Sequence, residues 1–154
     1  MARIRTELVI DASPARVWEL VTDWPAQSRW IPLTDVVIDR PGTEGTTGLG
    51  VRFTGRTRLG PLGFDDPMEV TEWQPPSGDG HGRCRVRKLG PWLTGWAEID
   101  VRPESGGSRV EWIEEVRARW TPRIADPVIA ALGSAFFGWV LRKMAAELAL
   151  ATPE

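Results

Sequence analysis

The spacing of apolar and polar residues changes twice along the chain. Over 3–10, Ile4, Thr6, Leu8 and Ile10 alternate with Arg3, Arg5, Glu7 and Val9, the period of a strand with one wet face. Ser13 and Pro14 then open a short helix carrying Val17, Trp18, Leu20 and Val21, which Trp24-Pro25 closes; a second helical turn over 26–30 precedes Pro32. From there to residue 120 the period is two, predicting strands over 33–39, 51–58, 64–73, 83–88, 92–102 and 109–120. Glycine and proline mark the turns between them, at 41–50, 59–63, 75–82, 90–91 and 106–107. The last stretch, 126–150, returns to a helical period. Asp126 is placed as its N-cap and Pro127 at its first helical position, where a missing N–H costs nothing. Gly133, Phe137, Val140, Leu141, Met144 and Leu148 share one side, with Arg142, Lys143 and Glu147 opposite. Val128, Leu132, Phe136 and Trp139 form a further apolar strip, so the first half of this helix needs cover on more than one side.

Short connections between successive strands imply an antiparallel meander with one covered face, and the terminal helix is the available cover. The expected fold class is α+β: a curved antiparallel sheet of about seven strands around a long C-terminal helix, with one or two short helices between strands one and two. Space left at the wide end of such a grip is a natural ligand pocket. This order of elements carries Asp11-Ala12-Ser13-Pro14-Ala15-Arg16-Val17-Trp18 after the first strand, and Asp23 and Trp30 after the first helix. Gly107-Ser108-Arg109-Val110-Glu111-Trp112 enters the last strand. With the closing helix, these features resemble the SRPBCC superfamily over nearly the whole chain. That group holds START-related lipid-transfer domains and polyketide cyclases and dehydratases, all of the helix-grip fold. The resemblance implies one ligand-binding domain over 1–154 that encloses an apolar molecule between sheet and helix. Carriers, sensors and enzymes share this fold, so the fold alone does not choose among them.

Composition narrows the classes. A chain of 154 residues with 42% hydrophobic and 26% charged positions suits one globular domain. A formal charge of -2 leaves no electrostatic footprint for nucleic acid or acidic lipid. Cys84 stands alone, so no intrachain disulfide or cysteine metal cluster is expected, and a reducing cytoplasm is the plainer setting. The first ten residues lack an apolar export signal, and no run of about 18 uninterrupted apolar residues predicts a membrane span. The glycine-rich segment 41–50 has neither a Walker lysine nor a dinucleotide fingerprint and reads as a loop. His81, the only histidine, sits among glycines in a turn, which argues against a nucleophilic triad; zinc lacks ligands, and no cofactor or metal is expected. Nine Trp and no Tyr supply large, stiff apolar surface for a core or a cavity.

Three polar residues interrupt inward parities. Glu114 shares that of Val110, Trp112 and Val116; buried beside Trp112 it would hold its proton to high pH and act as general acid or base. A strand twist could instead turn it outward, or Lys88 or an arginine could pair with it. Asp66 shares the parity of Phe64 and Met68, although Pro67 suggests a bulge there. Lys88, two residues past Val86, could hold a ligand carboxylate, but at a strand end the favoured expectation is that it snorkels into water. The expected ligand-binding set is Phe53, Phe64, Met68, Lys88, Trp92, Trp112, Glu114, Phe136, Phe137, Val140 and Leu141; Trp96, Trp120 and Trp139 join its aromatic members as cavity or core. Outward arginines, Arg52, Arg56, Arg58, Arg83, Arg85, Arg87, Arg117 and Arg119, read with Glu69, Glu111 and Glu115 as a charge ladder. The leading expectation is binding or transport of a small hydrophobic ligand: a lipid, a polyketide or another fused-ring aromatic. An enzyme of the cyclase or dehydratase type, with Glu114 as acid/base and Asp66 as partner, is the alternative, although polyketide cyclases commonly use pocket tyrosines that this chain lacks. A third possibility is an interaction module or homodimer using Val128, Leu132, Phe136 and Trp139.

Overall fold

A computed structural model of the chain describes residues 1–77 and 80–151. The alternating segments form seven strands, β1 (Ala2–Ile10), β2 (Thr34–Arg40), β3 (Arg52–Leu59), β4 (Leu62–Ser77), β5 (His81–Lys88), β6 (Leu93–Glu104) and β7 (Gly107–Ala118). Helix α1 (Pro14–Val21) and a 3-10 turn (Pro25–Arg29) separate β1 from β2, and helix α2 (Asp126–Leu150) closes the chain. The sheet order is β1-β7-β6-β5-β4-β3-β2, antiparallel throughout. Hairpins make successive strands neighbours, while the helical insert carries the chain across the sheet, so β1 and β2 become its opposite edges. This is the helix-grip arrangement.

Helix α1 closes one end of the grip. Ser13 caps it by accepting the Arg16 N–H, and buried Val17, Trp18 and Val21 face the sheet, with the Trp18 and Trp73 rings 5.0 Å apart. The second half of α2 joins this core through Val140, Leu141, Met144 and Leu148. Its last turns are tied to the 3-10 turn by Glu147, which accepts the Trp30 indole N–H at 2.6 Å and pairs with Arg29 at 2.7 Å. The first half of α2 lies on β1, where Gly133 lets it approach Ile4. Over 123–150 the chain is long and apolar enough to cross a membrane, although no single apolar run reveals it. A core helix meets the same measure, and this one packs on the sheet.

Several local expectations need correction. Asp126 is the first helical residue rather than the cap; the cap position is Ala125, and the Asp126 carboxylate pairs with the Met1 ammonium at 3.1 Å. The turn expected over 75–82 is shorter, because β4 continues to Ser77 and β5 begins at His81; positions 78 and 79 lie outside the described residues. His81 therefore sits on a strand, its Nε2 2.8 Å from Asp100 Oδ2. No bulge occurs at Pro67: Asp66 and Pro67 pair in register with Gly55 and Thr54, and the shift falls between Val70 and Glu72.

On the convex face, Arg52 pairs with Glu69, Arg5 with Glu111 and Arg83 with Glu98, each within 2.8 Å, while Arg85 lies over the Trp96 ring. Trp96 is thus outside the grip. Cys84, on central strand β5, is fully buried, and burial pushes its thiol up to about 12.

Candidate ligand cavity

A cavity of about 270 Å³ lies between the concave face of the sheet and α2. Each strand contributes through its inward parity: Phe53 from β3, Phe64, Asp66 and Met68 from β4, Val86 and Lys88 from β5, Trp112, Glu114 and Val116 from β7. Phe137 of α2 forms a wall and stacks on Trp112 at 5.2 Å between ring centroids. Trp24, stacked on Phe53 at 4.6 Å, enters with Gln27 and Ile31 from the segment between α1 and β2.

The polar part of this wall is one cluster. Asp66, Lys88 and Glu114 are all at least nine-tenths buried. Lys88 Nζ lies 2.5 Å from Asp66 Oδ2 and 4.0 Å from Glu114 Oε1. Burial pulls the ammonium toward its neutral form, but Glu114 and then Asp66 outweigh it, so the Lys88 pKa is raised. Burial raises the pKa of Glu114, against the pull of Lys88 and with help from Asp66. The Trp112 indole N–H also opposes the rise from close by, although it makes no hydrogen bond of regular geometry. Asp66 Oδ1 and Trp24 Nε1 likewise lack partners. These atoms are closed off by packing and lie behind the lining rather than on its surface. Among the described residues no group of three His, Cys, Asp or Glu side chains could hold a metal ion.

The structure thus brings Phe53, Phe64, Met68, Lys88, Trp112, Glu114 and Phe137 of the expected set around one cavity, with Asp66. Lys88 does not snorkel; it points inward between two carboxylates. Trp92 lies outside the cavity on a shallow cleft with Arg117 and Arg119, and Phe136 is on the outer side of α2. Val140 and Leu141 are packed core rather than lining. Trp24, Gln27 and Ile31 line the cavity without belonging to the expected set. The Trp24-Pro25 pair is a visible helix stop, but only the path of the following turn sends this indole back over the sheet.

A family model described as "Polyketide cyclase / dehydrase and lipid transport" matches residues 1–150. No curated protein matches the chain. Among solved structures, TTHA0849 from Thermus thermophilus superposes with a TM-score of 0.73 at 16% identity, covering 98% of this chain and 99% of that one. A START superfamily protein from Mycobacterium smegmatis gives 0.68 at 13% identity, over 96% and 99% of the two chains. The Aha1 dimer from Colwellia psychrerythraea gives 0.59 at 15%, over 95% and 96%. At these identities the likeness concerns the fold.

Proposed function

Because the chain belongs to the polyketide cyclase / dehydrase and lipid transport family, within the SRPBCC superfamily, we propose that it binds a small, uncharged hydrophobic molecule between sheet and α2. The observation that carries this reading is an apolar cavity whose charged lining residues are paired with one another. A ligand carboxylate would have to take Lys88 from Asp66, and breaking a buried pair is costly. A hydroxyl or carbonyl group makes no such demand, and an uncharged ring system matches the apolar lining of Phe53, Phe64, Met68 and Phe137. Filled at the density of a protein interior, the cavity holds about 200 Å³ of ligand, the size of two or three fused rings.

Naphthalene, 2-naphthol and 2-naphthoate share one ring system and differ in polarity and charge. Titrated by calorimetry and Trp fluorescence, naphthalene and 2-naphthol should both bind, and 2-naphthoate should bind weakest. Silence from all three would refute the cavity as a binding site; preference for the naphthoate would refute the uncharged ligand.

The raised pKa of Glu114 favours a second reading, an enzyme of the dehydratase type. Protonated Glu114 would donate to a leaving hydroxyl as the C–O bond breaks, while the Asp66 carboxylate would take the proton from the adjacent carbon, leaving water and a double bond. Glu114→Gln should then abolish turnover and leave 2-naphthol binding within about threefold; unchanged turnover would remove this reading.

A further inference from the structure

The end of the grip opposite α1 has no covering helix. There the β3–β4 hairpin tip presents Leu59 and Leu62, the β5–β6 loop Trp92, and the connection from β7 to α2 Trp120 and Ile124, all exposed, Ile124 by 87%. The two tryptophans connect to the cavity wall: the lining ring of Phe64 packs edge-on against Trp120 at 6.3 Å, and Trp120 meets Trp92 at 5.7 Å. Val128 extends the surface onto α2.

The charge at this end differs from that of the whole chain. Arg117 and Arg119 flank Trp92, and Arg123 precedes α2; none makes an ion pair among the described residues. The nearby carboxylates are engaged, Asp126 by the Met1 ammonium and Asp65 by Arg58. A net charge of -2 thus conceals a cationic, Trp-bearing rim around the ligand cavity. Exposed Trp and aliphatic tips ringed by guanidinium groups suit the headgroup layer of an anionic bilayer. They suit a second copy of the chain poorly, because a two-fold contact would set Arg117, Arg119 and Arg123 against their own equivalents.

We propose that this end docks on anionic membrane surfaces, with Trp92, Trp120, Leu62 and Ile124 entering the headgroup layer and Arg117, Arg119 and Arg123 meeting lipid phosphates. The cavity wall at Phe64 then lies next to the membrane interface. Co-sedimentation with vesicles of phosphatidylcholine alone, or mixed 3:1 with phosphatidylglycerol, tests it without any cavity ligand, so its failure is separate from that of ligand binding. The protein should sediment with the mixed vesicles, weakly with phosphatidylcholine, and be released by 0.5 M NaCl. Arg117→Gln and Arg119→Gln should each weaken binding about fivefold, and Trp120→Ala with Ile124→Ser should abolish it, with circular dichroism and thermal melting as a check that these exposed changes leave the fold intact. Three outcomes would overturn the proposal: no sedimentation with mixed vesicles, binding indifferent to all four substitutions, or a concentration-dependent dimer that ignores vesicles.

Discussion

Lys88 is held between two carboxylates that are unequal in what they do for it. Asp66 is the hydrogen-bonded partner, and its loss in Asp66→Asn leaves a buried ammonium with one carboxylate, Glu114, at 4.0 Å. We expect a loss of about 3–5 kcal/mol in urea unfolding, largely recovered when Lys88→Met is added. Glu114→Gln keeps the shape and removes a carboxyl whose charged form burial disfavours, but it also removes the larger of the two charges that raise the Lys88 pKa; it should destabilise, though less than loss of the hydrogen-bonded Asp66. Linkage gives the pH dependence. The folded pKa of Glu114 is raised above its ordinary 4.5, so its stabilising contribution is full below 4.5 and is lost as pH rises through the folded value. Lys88 is raised above 10.5, so its contribution persists up to that pH and is lost beyond it, as pH rises through its folded value. Unfolding free energy measured upward from pH 4.5 should therefore decline in the parent relative to Glu114→Gln. Parity alone places Glu114 and Asp66 inward. It does not show that a lysine beside the Gly90-Pro91 break stays inside, because the carboxylate that keeps it there is 22 residues away on the neighbouring strand.

At the scale of elements, helical spacing identifies α2 and its stripes, but a helix apolar nearly all round does not say which stripe meets the sheet. Phe136 and Phe137 show the consequence: one step of the helix separates a ring in the cavity wall from one on the outer side. Similarly, the sheet order follows from hairpins, whereas the place of Trp24 depends on a non-repeating turn with no period to read. The contact that fixes α2 is at Gly133, where an added Cβ would come 2.4 Å from the Cδ1 of buried Ile4. Gly133→Ala gains roughly 1 kcal/mol of helix propensity, yet overpacking costs about 1–3 kcal/mol, and the net change should be destabilising. Ile4→Ala removes both close atoms, Cδ1 and Cγ1, and in thermal melts should cost less beside Gly133→Ala than beside the native glycine, whereas a stabilised Gly133→Ala single variant would show that α2 does not need this close approach.

For the whole molecule, the cavity couples ligand to fold. A ligand at a hundred times its Kd should add about 2.7 kcal/mol to the unfolding free energy and raise Tm by roughly 5–10 °C, readable by calorimetry. The same coupling reaches Cys84. Its thiol lies sealed in the middle strand and forms almost no thiolate at neutral pH, so an alkylating reagent waits for the sheet to part. Under slow-reagent conditions, modification of this single thiol proceeds in proportion to the time the grip spends open. The protein thereby carries an internal clock, and a ligand that holds the grip shut, at a hundred times its Kd, should slow that clock about a hundredfold.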